Sequence, residues 1–391
     1  MDFVSYSLNY WEDLWQSRHQ IMLALAQRHK VLFVSPPFSL REVLGHLRQN
    51  DLPRSGVVYR GANLNTLVFP KWLFENYRFP KLDKVATSLR QRHVRRAMKR
   101  YELRNTVLFI WHPQYAGLVG TIGEALSCYY VDDEFADYAG ASEAERQRLL
   151  EQEDMLLRRA DVVFANGPAL LKAKNRYGNA INVPMAADFE LFSRSRLAET
   201  LVPPDLEAIP HPRVGYVGNL NDKVDFALLG RLSAERPSWS FVLVGPSGVR
   251  STASRSDLDF LTTLPNVFLL GAKSRESLPN YIKGFDVCIM CYRKQGWANY
   301  IYPLKLHEYL ASGKPVVGTG IASLCDFSEV VRLADTEQEW LEALEGAIVD
   351  HDRTRSERRI QVAYENRLES RVAIIEQALE QKMNEKGLRS R

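Results

Sequence analysis

The sequence predicts an α/β protein built on two doubly wound parallel sheets, and three observations carry that reading. Short apolar runs of strand length alternate with helix-length amphipathic segments along nearly all of the chain, a pattern that implies parallel sheets covered by crossover helices. The alternation lapses between about Ser193 and Pro212, where Pro203, Pro204, Pro210 and Pro212 crowd together. At 391 residues the chain is also too long for one ordinary domain. The expected organisation is an N-terminal domain over 1–192, a linker over 193–212, a C-terminal domain over 213–355 and a terminal helix over 356–391.

Composition narrows the class. Hydrophobic residues make up 46% and charged residues 25%, the balance of a soluble globular protein. No apolar run approaches the ~18 residues that a membrane span needs. The opening MDFVSYSLNYWEDLW lacks the basic start and apolar core of a secretion signal, so the expected location is cytoplasmic. Four cysteines do not form a disulfide framework in so long a chain. Cys288 and Cys291 stand three apart within the strand-like FDVCIMCY, where their thiols point to opposite faces, so core packing is expected rather than zinc or redox chemistry. A net charge of +4 gives no global case for nucleic acid. Basic residues nevertheless crowd residues 81–104, including Arg90, Arg92, Arg95, Arg96, Lys99 and Arg100, beside the apolar Leu82, Val85, Leu89 and Met98. Such a helix suits an anionic membrane surface or an acidic acceptor; it also suits plain solvation.

In the first half, Phe3–Ser5 reads as a strand, followed by a polar and aromatic loop and a helix from about Trp11 to Gln27. Arg18 there can meet a phosphate or acid at the strand's carboxyl edge, where open α/β sheets bind ligands, or serve as an ordinary helix-face arginine. Val31–Val34 is the next strand, and residues of about 50–80 are less regular. The strand Val107–Ile110 delivers His112 to its carboxyl end, placed for exchange with a substrate or for bonding to loop backbone. The strand Cys128–Val131 ends in Asp132 and Asp133, a carboxylate pair able to act as base, bind metal or form a turn. Ser142 caps a polar helix to about Ala160, and strands VVFA and Ile181–Val183 complete this half.

In the second half the strands RVGYVG, FVLVGP, VFLLG, VCIMCY and PVVGT are each separated by a helix. GYVGNLNDK places Gly215 and Gly218 about a strand end with Lys223 in the following loop, a turn able to cradle a phosphate although it matches neither G-x-G-x-x-G nor the Walker pattern. YPLKLHEYLASGKPVV reads as a short helix, started by Pro303 and stopped by Gly313, that feeds a buried strand. Lys305 and Glu308 share one face of it, while Leu306 and Leu310 face the core. A lysine in the first turn opposes the helix dipole, and a bound anion would relieve that conflict. Glu308, ~4.5 Å further along the axis, is spaced for the ribose of a nucleotide whose diphosphate sits at Lys305; the plain alternative is an exposed Lys–Glu pair. The segment 356–382 reads as one charged helix.

Together these motifs resemble the GT-B glycosyltransferases of group 1, or family 4. GYVGNL, WSFVLVGP, LPNVFLLG, LPNYIKGFDVCIMCYR and PLKLHEYLASGKPVV follow the order and spacing of that family's donor-binding domain, and FIWHPQ and YYVDDEF resemble its acceptor domain. The resemblance implies two Rossmann-like domains facing across a cleft, with the terminal helix crossing back to the first. It implies a nucleotide-sugar donor of the UDP or GDP type, a glycan or lipid-linked acceptor and retention of configuration; the residues themselves show no metal-ligand cluster, so no metal or other cofactor is expected. Glu308 matches the second glutamate of the family's Glu-x7-Glu motif, while Tyr300 stands in place of the first. Gly218-Asn219 replaces the usual Gly-Arg, and Lys223, with Lys305 and Leu306 beside Glu308, completes the implied donor set. His112 matches the family's cleft histidine; from the residues themselves Asp133, with Asp132, is the candidate base should the reaction invert, and Arg18 the acceptor-side candidate. A catalytically silent nucleotide-sugar-binding relative and a sugar-nucleotide epimerase share the fold and remain the alternatives.

Overall fold

The structure, a computed structural model, describes residues 1–13, 16–49, 55–61, 63–75, 80–137, 142–294 and 302–388. The chain divides into two compact units. Met1–Pro184 with Arg371–Arg391 forms the first, and Met185–Ser370 the second.

The first unit runs β1 (Asp2–Tyr6), α1 (Ser17–Leu25), β2 (Val31–Val34), α2 (Leu40–Gln49), β3 (Gly56–Gly61), β4 (Leu64–Val68) and α3 (Pro80–Arg100). It continues through β5 (Thr106–Ile110), β6 (Leu126–Val131), α4 (Glu143–Arg159), β7 (Val162–Ala165), α5 (Pro168–Lys174) and β8 (Ala180–Asn182). The sheet order is β3-β4-β2-β1-β5-β6-β7-β8. Every residue of β2, β5, β6 and β7 is buried, which is why each reads as an unbroken apolar run. The sheet is parallel except at one edge, where β3 pairs antiparallel with β4. This corrects the wholly parallel sheet expected for this half. Tyr59 and Arg60 on β3 are exposed, so the edge hairpin lacks the apolar run that reveals a central strand. Helix α1 is shorter than expected, because residues 11–13 form a turn and the Gln16 amide donates to His19 Nδ1 at the helix start.

The second unit runs α6 (Phe189–Ser193), α7 (Pro204–Glu207), β9 (Arg213–Val217), α8 (Phe226–Glu235), β10 (Ser240–Val244), α9 (Thr252–Leu261), β11 (Val267–Gly271), α10 (Leu278–Lys283) and β12 (Val287–Met290). Then follow α11 (Lys305–Ala311), β13 (Val316–Gly318), α12 (Ala322–Cys325), β14 (Arg332–Leu333), α13 (Glu337–Ile348) and α14 (Arg353–Glu365). Its sheet is parallel throughout, in the order β11-β10-β9-β12-β13-β14. The capping box at α13 forms as read, with Glu339 N–H donating to Thr336 Oγ1 and Thr336 N–H to Glu339 Oε2. Cys288 and Cys291 are buried and unbridged. Gly215 is required by packing, because a Cβ there would sit 2.1 Å from the Phe285 ring.

Two stretches depart from the sequence reading. Residues 193–212 are folded into the second unit rather than extended: Leu206 and Ile209 join its core, and Arg213 Nε donates to the Ile209 carbonyl. Pro204 starts the short α7, whose Leu206 is buried. The charged tail is two helices, α14 and α15 (Leu368–Glu385), separated where the Asn366 amide donates to the Val362 carbonyl. Val362 and Ala363 of α14 lie in the core of the second unit. Within the first unit, Glu376 of α15 pairs with His29 at 2.9 Å, and Lys386 pairs with Asp161 at 2.6 Å.

Candidate functional site

In the first unit the central strands β1, β5 and β6 end side by side, and their following residues converge. Connections leave β1 toward β2 on one side while β5 lies on the other, which is the switch point of the sheet. Arg18 Nη2 bonds Asp132 Oδ2 at 3.0 Å, and Arg18 Nη1 donates to Ser7 Oγ at 3.3 Å. The ion pair is buried, with side-chain exposures of 11% and 4%. Asp132 Oδ1 and Arg18 Nε remain buried without a hydrogen-bond partner among the described residues. Burial raises the Asp132 carboxyl to about 6, against the pull of Arg18 and with a push from Asp133. His112 lies in the same neighbourhood. Its Nδ1 accepts from the Gln114 amide at 3.3 Å, and its ring meets Phe135 edge-on at 4.5 Å. Burial, helped by the Arg18 charge, pushes it down to about 3, so the imidazole is neutral at physiological pH. With Nδ1 accepting, Nε2 carries the proton and can donate a hydrogen bond. The aspartate of this cluster is Asp132; Asp133 instead accepts from the Glu134 amide at 2.9 Å and shapes the turn.

In the second unit the organising contact is between α11 and the end of β9. Tyr309 Oη accepts from the Val217 amide at 2.7 Å, anchoring the helix beneath the strand terminus. Leu306, expected at the donor, has its side chain in the core, 0% exposed. Lys305 is 8% exposed and reaches back to Gly218, whose Cβ, if present, would lie 2.9 Å from Lys305 Cε and Nζ. Gly218 has φ +141°, a conformation open to glycine. The Lys305 ammonium stands 4.9 Å from the Tyr216 ring centre and 5.6 Å from that of Tyr292, and Lys223 Nζ also lies 5.6 Å from Tyr292. Cation–π contacts of this kind offset a small part of the cost of burying an ammonium. Burial and the like charge of Lys223 hold Lys305 well below the usual lysine range.

Glu308, one turn along, is partly exposed. Burial of its carboxyl raises its pKa, opposed by Lys305 and Arg275, and Arg275 pairs with Asp188 at 3.0 Å. Asn219 turns its side chain toward Gly248, and its carbonyl accepts from Tyr216 Oη at 3.2 Å. Tyr300 lies outside the described residues. Sequence reading missed Tyr216, Tyr292 and Gly245, because two tyrosines in apolar strands look like core and Gly245 looks like an ordinary strand end. It also missed Arg275 and Asp188, which are 87 residues apart and meet only in the fold. Among the described residues no cluster of three or more His, Cys, Asp or Glu is arranged to hold a metal ion.

Comparison with known proteins fits this geometry. Residues 211–350 match the family described as Glycosyl transferases group 1. A putative teichuronic acid biosynthesis glycosyltransferase, TuaH of Bacillus subtilis (strain 168), is 31% identical over 192 residues; the match spans 46% of this chain and 46% of the relative. Among solved structures, a sucrose-phosphate synthase from Thermosynechococcus elongatus superposes with a TM-score of 0.69 at 17% identity, covering 97% of this chain and 99% of that one. HepE from Anabaena, solved in complex with UDP, gives 0.67 at 14% identity over 97% and 99%. An Escherichia coli trehalose-6-phosphate protein, solved with UDP-2-fluoro glucose, gives 0.67 at 12% over the same shares. At these identities the structural likeness establishes the fold alone. The chain thus has the GT-B fold of two Rossmann-like α/β units, and its residues 211–350 match the group 1 glycosyltransferases.

Proposed function

We propose that the chain transfers a sugar from a nucleotide diphosphate sugar, of the UDP or GDP type, to a glycan or lipid-linked acceptor with retention of configuration. One observation carries the donor half: Lys223 and Lys305 bring two ammonium groups to one tyrosine ring, 5.6 Å from its centre in each case, beside glycine backbone. Burial and the like charge of Lys223 disfavour the charged form of Lys305 in the empty site, and a diphosphate would relieve that cost. As the bond from the anomeric carbon to the diphosphate oxygen breaks, charge builds on the leaving group where these preorganised cations stand. A new bond forms from the acceptor oxygen to the same face of the carbon, and the acceptor proton passes to the departing phosphate. No protein nucleophile is required. Glu308 receives the ribose hydroxyls.

The cluster of the first unit is assigned to the reacting sugar and acceptor, with the neutral His112 donating through Nε2 to a hydroxyl. Should the product prove inverted by NMR of its anomeric carbon, Asp132, raised to about 6 and with one free oxygen, is the base in place of Asp133. The UDP complexes of the structural neighbours support a uridine donor, and the relative named for teichuronic acid biosynthesis supports an envelope polysaccharide as product.

Thermal shift across UDP, GDP, dTDP and their sugars, followed by assay of released nucleotide with acceptor extract, tests the reading. Tight binding without turnover would favour a silent relative, and an epimerised donor would favour an epimerase. Glu308→Ala is expected to weaken nucleotide binding ~10-fold or more, as for a lost charged hydrogen bond, and to leave pyrophosphate binding unchanged. Unchanged nucleotide affinity would show that α11 has been misread.

No helix among the described residues is long and apolar enough to cross a membrane. Leu82 and Val85 of α3 are 61% and 59% exposed, on the same helix as Arg92, Arg95, Arg96 and Lys99. These residues support docking on an anionic membrane surface at its cytoplasmic face. Binding to anionic vesicles, read by flotation, is expected to fall several hundredfold when those four cations become glutamine, at ~1 kcal/mol each; unchanged flotation would remove α3 from the account.

A further inference from the structure

A concavity of about 610 Å³ opens in the first unit where α3 ends and the chain turns into β5. Its volume falls in the ~300–1,000 Å³ range of small-molecule sites. The five residues of β5, ~17 Å of strand, separate it from His112, so it lies at the opposite edge of the sheet from the site described above. Its floor is apolar, made by the half-buried Met98 and Leu103 and the buried Ile122. The charged lining is one-sided: Arg92, Arg95, Arg96 and Lys99 come from α3 and Arg104 from the turn, against one carboxylate, Glu102.

Helix stability does not explain this arrangement. Cations in a last turn favour the helix dipole, which accounts for Lys99. Arg92 stands two turns earlier, and Arg104 lies beyond the helix. Arg92 with Arg96, and Arg95 with Lys99, are like charges four residues apart, each a net cost to a helix. An ion pair that α3 does form, Arg90 with Asp83, lies in its first half. Arg92, Arg96, Lys99 and Arg104 form none among the described residues. The turn bears a cost of its own. Glu102 has φ +51° and Asn105 φ +45°, a left-handed conformation unfavourable for glutamate and easier for asparagine, and the two bracket Leu103 and Arg104.

The spacing decides what kind of anion fits. Residues four apart on a helix have Cβ atoms ~5–6 Å apart, so the pairs Arg92–Arg96 and Arg95–Lys99 can each converge on one phosphate. Arginine forks bind phosphate oxygens bidentately. Arg104 extends the set beyond the helix. A single phosphate leaves most of this charge unmatched, whereas two or more held together neutralise it.

We infer that this concavity binds a ligand bearing two or more linked phosphate groups, separately from the donor site. The inference depends on neither the transfer reaction nor membrane docking by α3. Calorimetric titration with inorganic tripolyphosphate tests it, using the full chain carrying Lys305→Met to weaken the donor site. Saturable binding is expected, at least tenfold tighter than to orthophosphate. Adding Arg96→Gln and Arg104→Gln is expected to weaken it tenfold or more. Adding instead Arg194→Gln and Arg196→Gln, an equal loss of charge on exposed residues of the second unit, is expected to change it less than twofold. Arg96→Gln alone should leave the melting temperature of the empty protein unchanged or higher, because like-charge repulsion is lost. Absence of saturable binding, equal affinity for orthophosphate, equal effects of the two pairs of substitutions, or destabilisation by Arg96→Gln would overturn the site. Given tripolyphosphate binding, flotation identifies the source of the phosphates, with cardiolipin vesicles set against phosphatidylglycerol vesicles of equal charge. A cardiolipin preference abolished by Arg96→Gln and Arg104→Gln assigns them to a lipid, no preference assigns them to a soluble ligand, and either result upholds the site. The wild-type chain is expected to take up a further tripolyphosphate at the donor site; failure of that second event would overturn the donor assignment and leave the concavity standing.

Discussion

Lys305→Met is expected to lower nucleotide diphosphate affinity by about a hundredfold, corresponding to ~2.7 kcal/mol and within the range for hydrogen bonds to a charged group. Methionine keeps the aliphatic contact with Tyr216 and removes only the ammonium, so the loss reports charge rather than packing. The same substitution removes a largely buried side chain whose charged form burial and Lys223 disfavour, so the ligand-free protein should be unchanged or slightly more stable. Lower affinity with undiminished melting temperature is the combination to look for; a parallel fall in both would mean that Lys305 is structural.

Proton linkage gives the same residue a second readout. Because burial and Lys223 depress its pKa, a fraction of Lys305 is deprotonated in the empty site at mildly alkaline pH. A bound diphosphate restores the ordinary preference for the charged form. Wild-type affinity should therefore decline as pH rises from neutrality, with proton uptake on binding seen by calorimetry in buffers of different ionisation enthalpy. The methionine variant should lose the Lys305 part of that uptake. Uptake identical in the two proteins would exclude Lys305 as the linked group.

Gly245→Ala is expected to destabilise the second unit by ~3 kcal/mol or more, through strain at positive φ and a backbone clash. Gly245 has φ +148°, and a Cβ there would sit 2.0 Å from the Gly218 carbonyl oxygen. Neither atom belongs to a flexible side chain, so backbone must move. For a unit of this size ~3 kcal/mol is a fall of about 6–12 °C in melting temperature. The displaced segment is the turn that faces Lys305, so nucleotide affinity should fall in the protein that remains folded. A melting temperature within ~1 °C of wild type would show that the turn accommodates the methyl group and that the two strand-end glycines are not interlocked.

How much of this was legible in the residues differs between the two units for a physical reason. In the second, β9, β10, β12 and β13 are buried on both faces of a parallel sheet, so each is an apolar run separated from the next by a helix and could be read directly, whereas β14, two half-buried residues at the edge, could not. The positions of Lys223, Lys305 and Glu308 were also legible, because they lie within one short segment or one loop where spacing alone places them. The edge hairpin β3–β4 was not, since a half-exposed strand pair has neither a continuous run nor a crossover helix to mark it. Residues 193–212 were read as a linker because proline density is visible in sequence, whereas the burial of Leu206 and Ile209 is not.

Local pattern by itself determined the α/β class, the two sheets, the α11 segment with its Lys–Glu face and the histidine at the end of β5. Only the tertiary structure decided which carboxylate of the pair Asp132–Asp133 is buried against Arg18, for the two are adjacent and equivalent until a helix 114 residues away supplies the partner. It also decided that Leu306 belongs to the core, that Tyr216 and Tyr292 pave the floor beneath the two lysines, and that Gly218 and Gly245 require one another. Each of these depends on contacts between strand ends distant in sequence. A one-dimensional pattern records the period of a strand or helix, but not which neighbour packing will bring against it.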